Sequence, residues 1–326
     1  MRRALGAVVA LCCCCGAVSV RAADVKQVAS VTLPCKSDQL VISQTGKSVA
    51  AFCDDKSVRV VDVASGRVLF AQNGGSRITT GDFSRDGNWL GLGFWDGTVQ
   101  IVPLAGGDSH KWKVGEHRVS KLHFLRDGHS VLAASLGDRG QIWDFGGAPK
   151  VVATLQSDFS SPSAVALSPD RSLLATAGGD TVIRIYDTTT WKLLHENRNA
   201  TKLEMFDLDF TPDGKSFLAG GADDHMLVID SATGEETRKL GGRSGVIGDI
   251  SVLGDGTHAA VEYVDVDDMK KTPEWAMWNL QTQKAEPCGT WTSTPRTGSL
   301  TANCGSPRRT EPRYKSSNTT ERSSAA

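Results

Sequence analysis

A turn that recurs about every 42 residues constrains the fold of this chain more than any other feature of its sequence. Most copies contain Asp-Gly, in which a side-chain acceptor precedes a residue that adopts positive φ without strain. Successive copies lie 41 to 43 residues apart, within the ~40–45-residue period of four-stranded propeller blades. The copies are Thr45-Gly46, Asp86-Gly87, Asp127-Gly128, Asp170-Arg171, Asp213-Gly214, Asp255-Gly256 and Thr297-Gly298.

The segment 164–194 shows what one repeat contains. An alternating strand ends at a Pro-Asp turn, a second strand ends at Gly-Gly-Asp, and a third alternating strand and a fourth strand follow. Four short antiparallel strands joined by tight turns form one propeller blade. The sequence therefore predicts an all-β fold, a seven-bladed β-propeller of four-stranded antiparallel blades over residues 24–314. The predicted third strands are 58–62, 99–102, 141–144, 183–187, 227–230 and 275–279.

The last repeat lacks a fourth strand. Its first three strands are predicted at 289–293, 299–304 and 308–314. The segment 26–34 alternates like a strand, has no blade before it, and lies at the offset from Gly46 that a fourth strand would have. We expect this N-terminal strand to close the ring, because an open ring would leave two sheet edges free to aggregate. Residues 315–326 contain no apolar run and are expected to form a disordered tail.

The ends of the third strands and the turns around them carry a family resemblance. Trp143-Asp144 ends one third strand, and the opening turns read Phe-Ser-Arg-Asp-Gly at 83–87 and Phe-Thr-Pro-Asp-Gly at 210–214. This pattern resembles the WD-repeat family over roughly residues 26–314. The resemblance implies a propeller fold. The acids that match the family are Asp62, Asp187 and Asp230 at strand ends, and Asp55, Asp96, Asp180 and Asp223 in the turns between second and third strands.

Residues 1–23 have the pattern of a signal peptide. Arg2 and Arg3 precede an apolar stretch from Ala4 to Val20, small residues follow, and the first acidic residue is Asp24. We therefore expect an exported protein, periplasmic or secreted, with no stable membrane span after cleavage. An uncleaved anchor helix is one alternative. A lipid attached to one of the cysteines at 12–15 is another.

Charge and motifs exclude several classes of function. The net charge is −1, from 36 Lys and Arg against 37 Asp and Glu, whereas nucleic-acid-binding domains are usually strongly basic. Nucleophile-elbow, zinc-protease and dinucleotide-binding motifs are absent from the sequence, and its seven histidines are scattered. We therefore predict no catalytic residue, metal, cofactor or nucleic acid. A propeller enzyme with a site at the central channel stays open on fold analogy, as does a calcium ion held by acids of the long loop 264–274.

The leading interpretation is a monomeric, non-enzymatic propeller that binds a protein or peptide, because rigid blades hold variable loops on one face. Turns between second and third strands share that face with the connections between blades. Phe94-Trp95 places two large aromatic residues in one such turn, and Trp and Arg are enriched at interface hot spots. The predicted partner-binding residues are Phe94, Trp95, Arg118, Phe159, Arg243 and Asp265.

Four cysteines remain after signal cleavage, and export permits disulfides. Cys53 and Cys304 occupy matching positions in blades one and seven, which should touch, so this pair is the first choice. Cys35 and Cys288 also match, each after a proline that ends a fourth strand, but they are expected to lie farther from the axis. Four free buried thiols are the alternative.

Overall fold

The computed structural model describes residues 35–156, 162–198, 200–241, 245–265, 273–287, 292–293 and 300–301. These residues form six consecutive four-stranded antiparallel sheets, blades 1 to 6, and one two-stranded sheet. Blade 1 contains β1 (Ser37–Ile42), β2 (Ser48–Cys53), β3 (Ser57–Asp62) and β4 (Val68–Asn73). Blade 2 contains β5 (Ile78–Phe83), β6 (Trp89–Phe94), β7 (Thr98–Pro103) and β8 (His110–Lys113). Blade 3 contains β9 (Val119–Phe124), β10 (Ser130–Ser135), β11 (Gln141–Asp144) and β12 (Lys150–Thr154).

The second half of the chain repeats this arrangement. Blade 4 contains β13 (Ala164–Leu167), β14 (Leu173–Ala177), β15 (Ile183–Asp187) and β16 (Leu193–Asn197). Blade 5 contains β17 (Met205–Phe210), β18 (Ser216–Gly221), β19 (Met226–Asp230) and β20 (Glu236–Leu240). Blade 6 contains β21 (Val246–Val252), β22 (His258–Val264), β23 (Glu274–Asn279) and β24 (Lys284–Pro287). The two-stranded sheet pairs β25 (Thr292–Ser293) with β26 (Leu300–Thr301).

The recurring turn forms the first hairpin of each blade, as the spacing predicts. Its key residue has positive φ in all six blades, at Gly46, Gly87, Gly128, Arg171, Gly214 and Gly256. Arg171 is the exception, because the other five residues are glycines and Arg171 carries a side chain at a φ of 59°. The six predicted third strands coincide with β3, β7, β11, β15, β19 and β23 to within one residue at each end.

The apolar core lies between neighbouring blades. In one cluster, Phe52 and Val60 of blade 1 pack with Phe83, Leu92 and Phe94 of blade 2. Two-residue alternation explains this arrangement, because it directs the side chains of each strand alternately to the two flanking blades.

Polar side chains of the first strands also join adjacent blades. Asp82 of β5 accepts a hydrogen bond from the backbone N–H of Phe124 in β9 at 2.9 Å, and Asp209 of β17 accepts one from Val252 in β21 at 2.7 Å. We call these contacts the inter-blade hydrogen bonds. They satisfy backbone groups on the unpaired inner edge of the next blade. Asp207 and the N–H of Ile250 form another at 2.8 Å, and the Thr79 hydroxyl donates to the Val119 carbonyl at 2.7 Å.

The seventh blade is described only in part. β25 and β26 lie within its predicted first two strands. The signal segment 1–23, the N-terminal strand 26–34, the third strand 308–314 and the tail 315–326 lie outside the described residues. Ring closure by the N-terminal strand therefore stays a prediction. In the described part of the chain, no helix has the length and apolar character needed to cross a bilayer.

The described disulfide joins Cys35 to Cys53, with the Cα atoms 5.8 Å apart. The predicted pairings of Cys53 with Cys304 and of Cys35 with Cys288 are therefore wrong. Cys35 lies in the connection that leads into blade 1, and Cys53 ends β2, which pairs with β1 so that Cys53 faces Ser37. The connection and the following turn meet at the same place, so a bond within blade 1 needs no contact with blade 7. Cys288 and Cys304 lie outside the described residues.

Candidate functional site

Turns between second and third strands contact the connections between blades, as the sequence predicts. The N–H of Trp95 donates to the Arg77 carbonyl at 2.8 Å, and the N–H of Leu136 donates to the Arg118 carbonyl at 2.9 Å. The same bond joins Ala222 to Glu204 at 2.9 Å. We call this face the rim. It comprises the turns 54–56, 95–97, 136–140, 178–182 and 222–225 with the described parts of the connections between blades.

Phe94 and Trp95 are neighbours in sequence but occupy different environments. Phe94 is 1% exposed and packs in the core between blades 1 and 2, so its predicted role in partner binding is wrong. It is the last residue of β6 and faces Ile78 in the ladder, which directs its ring inward. Trp95 is the first residue of the turn and is 55% exposed.

Arg118 lies beside Trp95 on the rim. Its guanidinium carbon is 5.9 Å from the centre of the Trp95 ring, an arrangement whose attraction amounts to about 0.5–1 kcal/mol at exposed sites. The structure thus places Trp95 and Arg118 together, as expected for consecutive blades. The other predicted residues have different outcomes. Asp265 follows β22 and is half-buried, and Phe159 and Arg243 lie outside the described residues.

Three rim residues near Trp95 were missed from the sequence. Leu136 is 45% exposed and occupies in blade 3 the position that Trp95 occupies in blade 2. Arg77 holds the same repeat position as Arg118, and Arg139 is exposed in the turn of blade 3. Comparing equivalent repeat positions across blades would have found them. We name the five residues together the Trp95 strip: Arg77, Trp95, Arg118, Leu136 and Arg139.

The rim turn of blade 5 is acidic. In the turn of blade 5, His225 Nδ1 lies 3.0 Å from an Asp223 oxygen and contacts Asp224, and the Lys239 ammonium is 3.4 Å from Asp223. These three turn residues are the one group with metal-ligand chemistry found among the described residues. Lys239 competes for one of its carboxylates. Two further acids on this side are Glu204, which precedes β17, and Asp265, which follows β22.

A second charged group lies at the inner strands of blades 2 to 4. Arg171 is 5% exposed, and its guanidinium donates to the Phe124 carbonyl at 2.7 Å. Burial raises the pKa of Asp82 to about 6, although Arg171 and the Phe124 N–H act to lower it. Burial also lowers the pKa of His123 to about 3, helped by Lys121 and Arg171, so this ring is neutral at physiological pH. Asp82 and His123 approach to 3.9 Å.

Blade 5 repeats one part of this arrangement. Burial raises the pKa of Asp209 to about 7, against the hydrogen bond from the Val252 N–H. The carboxylates of Asp82 and Asp209 are thus both occupied by backbone N–H groups of the next blade. Along the described inner strands, no three His, Asp or Glu side chains bring ligand atoms together. Asp82 and Asp209 thus serve contacts between blades.

Known proteins resemble this chain over most of the described fold. The family model described as "WD domain, G-beta repeat" matches residues 149–187. "Cilia- and flagella-associated protein 52" of Mus musculus is 25% identical over 221 residues, 62% of this chain and 33% of that protein. An "Uncharacterized WD repeat-containing protein" of Synechocystis is 28% identical over 144 residues, 42% of this chain and 40% of that protein.

A solved structure is similar over a larger share of the chain. It comes from the "Crystal Structure of Mitotic Checkpoint Complex", with a TM-score of 0.66 and 17% identity over 84% of this chain and 85% of that one. This likeness bears on the fold alone. The chain spans only 33% and 40% of the lengths of the two relatives above.

Proposed function

Because the chain is a WD-repeat β-propeller, we propose that it is an exported, non-enzymatic scaffold that binds a protein or peptide partner at its rim. The exposure of Trp95 is the observation that carries this proposal. An indole that is 55% exposed leaves much of a large apolar surface in water, and such side chains are enriched at the centres of protein interfaces.

The surroundings of Trp95 support the same role. Its backbone N–H donates to the Arg77 carbonyl, and the guanidinium carbon of Arg118 lies over its ring, 5.9 Å from the ring centre. A side chain held on a rigid turn loses little conformational entropy on binding. Arg adds directional hydrogen bonds to the apolar contact.

Export is supported by two independent features. Residues 1–23 have the signal-peptide pattern, and Cys35 is joined to Cys53. Disulfides persist in oxidising compartments and are rare in the cytosol. The non-enzymatic role is supported by the inner wall, where Asp82 and Asp209 are engaged with backbone groups.

The test is partner capture with the full-length chain as bait and the periplasmic or secreted fraction as prey. Trp95→Ala should weaken capture by about 2 kcal/mol, or roughly thirtyfold, while the melting temperature is unchanged because the side chain contributes little to the core. Leu69→Ala is the matched control, since Leu69 is 57% exposed but lies on the outer strand β4. Equal capture by wild type and Trp95→Ala would refute the assignment, and so would an equal loss in Leu69→Ala.

A further inference from the structure

The outer strands β4, β8, β12, β16, β20 and β24 form the circumference of the six described blades. Each is the last strand of its sheet, so one of its edges has no strand beside it in the part of the chain that the structure describes. Such edges are templates for pairing with another chain, and proteins usually block them with charged residues, proline or bulges. The six outer strands differ in how well they are blocked.

The outer strand of blade 1 lacks the charges that block the others. β4 reads Val-Leu-Phe-Ala-Gln-Asn and contains no charged residue and no proline. By contrast, β8 contains two lysines, β12 begins with a lysine and β16 contains a glutamate. β20 contains three charged residues, and β24 contains two together with a proline. At the start of β4, Val68 and Leu69 are 47% and 57% exposed, so this edge is apolar as well as uncharged.

The backbone of β4 presents hydrogen-bonding groups outwards. The N–H of Gly74 donates to the Lys56 carbonyl at 2.8 Å, next to the point where Asn73 pairs with β3. Alternation along an antiparallel ladder then directs the N–H and C=O of Gln72 towards β3. The N–H and C=O groups of Ala71 and Asn73 therefore point away from β3, towards the edge that has no described neighbour.

The position of the bulge also distinguishes β4 from the outer strand of blade 3. A bulge turns an edge away from an incoming strand. In β4 the bulge lies between Val68 and Phe70, and residues 70–73 pair regularly with β3 after it. In β12 only residues 153–154 pair regularly after the bulge. Among the described outer strands, β4 thus combines a longer regular edge with the absence of charge and proline.

We propose that β4 pairs antiparallel with β4 of a second copy of this chain and joins two propellers as a dimer. Self-pairing about Ala71 or Gln72 places uncharged residues opposite one another along the whole strand. The same pairing of β8 would set Lys111 against Lys113, and that of β20 would bring two copies of Arg238 together. Like charges directly opposite each other destabilise a strand pair. A foreign strand finds no charge on this edge that would select it, whereas a second copy brings the same uncharged edge.

The proposed dimer is closed and independent of partner binding at the rim. Pairing about a twofold axis occupies the edge of β4 in both copies, so assembly stops at two. Because the paired strands are antiparallel, the rims of the two propellers face opposite directions, and one dimer presents two rims. The monomer expected from the sequence is then the form at low concentration, because a contact made by one strand is small and dissociates readily.

Sedimentation velocity of the full chain over an about hundredfold range of concentration measures the pairing. Wild type should shift reversibly from monomer to dimer and form no larger species. Ala71→Lys places a charge on the edge, and Ala71→Pro removes the outward N–H without removing a bond to β3. Each should weaken dimerisation by about tenfold or more. Circular dichroism verifies folding, and the lysine variant decides the test if the proline variant does not fold.

Hydrogen exchange gives a second readout that locates the contact. The N–H groups of Ala71 and Asn73 should exchange more slowly at high protein concentration, because they become paired with the second copy. The N–H of Gln72 already faces β3 and should change less. Equal concentration dependence at the three positions would contradict pairing through the outer edge.

Thr154→Lys and Thr154→Pro are the matched controls. Thr154 is exposed on β12, and its N–H also points outwards, because the neighbouring Leu155 N–H donates to the Gly140 carbonyl at 2.8 Å. Both controls should dimerise like wild type. A wild type that is monomeric at every concentration, dimers that survive in Ala71→Lys, or equal weakening by Thr154→Lys would each overturn the proposal. A monomeric wild type whose partner capture is lost in Ala71→Lys would instead assign this edge to a strand of another protein.

Discussion

Arg171→Gly is the substitution that best separates turn strain from contact between blades. Glycine occupies this place in the other five described blades, and Arg171 has a φ of 59°, where a side chain costs roughly 1–2 kcal/mol. A rule based on the turn alone therefore predicts that Arg171→Gly stabilises the protein. The structure predicts the reverse, because the buried guanidinium donates to the Phe124 carbonyl at 2.7 Å.

The magnitude follows from two opposing contributions. Removing the backbone strain at positive φ stabilises the folded protein by roughly 1 kcal/mol, after subtraction of the entropy that glycine adds to the unfolded chain. Loss of a hydrogen bond from a charged donor costs about 1.5–3 kcal/mol and leaves the Phe124 carbonyl without this donor. We therefore expect Arg171→Gly to lower the free energy of unfolding by about 0.5–2 kcal/mol at pH 5.

The loss should grow as the pH rises. The pKa of Asp82 is raised to about 6 when folded, so its stabilising contribution is full below its unfolded pKa of 3.8 and is lost as the pH passes through about 6. Arg171 lowers this pKa, so the variant has a still higher value and loses more stability between pH 5 and 8. His123, with a pKa of about 3, stays neutral over that range.

Urea unfolding at pH 5 and pH 8 measures the effect. Lys56→Gly is the matched control, because Lys56 also has positive φ, at 66°, but its side chain is exposed. That variant should be as stable as wild type or more stable, at both pH values. If Arg171→Gly matches Lys56→Gly, the contact with Phe124 contributes nothing and the reasoning is refuted.

Three further outcomes are expected. Asp209 should make wild type lose about 2–3 kcal/mol of stability between pH 5 and 8, because its pKa is 3.8 when unfolded and about 7 when folded; Asp209→Asn should lack this loss, and urea unfolding with the same pH dependence in both proteins would contradict the assignment. Non-reducing peptide mapping should recover Cys35 linked to Cys53, and replacing both with Ala should cost about 2–3 kcal/mol; a Cys53–Cys304 peptide would contradict the structure. Tyr263→Phe should cost about 1–3 kcal/mol in chemical denaturation, because the buried Trp278 Nε1 donates to the Tyr263 hydroxyl at 2.8 Å; an unchanged midpoint would show that this bond is not needed.

Much of the fold was predictable because the turn chemistry is local. A glycine after Asp or Thr predicts a hairpin turn, and two-residue alternation predicts the strands on either side of it. Arg171 shows the limit of this reasoning. Its place in the turn is evident from the spacing, but its hydrogen bond to Phe124 joins positions 47 residues apart. No local sequence pattern predicts a contact between positions so far apart.

The candidate site was predictable only in part, for two physical reasons. Phe94 is buried and Trp95 is exposed because β6 ends between them. At a strand end, a shift of one residue moves a side chain from the core to the solvent. The cysteine pairing failed because Cys35 was compared with its repeat equivalent and not with the turn it faces. Applied to Cys35, the expectation that connections and turns share one face would have brought it towards the turn that follows Cys53.

The inter-blade hydrogen bonds made by carboxylates all run in the same direction along the chain. Each carboxylate belongs to the earlier blade, and the N–H it accepts belongs to the later one, as for Asp82 with Phe124 and Asp209 with Val252. The ribosome synthesises the earlier blade first. A nascent chain therefore carries an acid whose backbone N–H partner has not yet been made. The same asymmetry ranks the connections at which the chain can be cut. A cut between blades 2 and 3, or between blades 5 and 6, puts an acid and its donor on separate segments, so these connections should tolerate a break least.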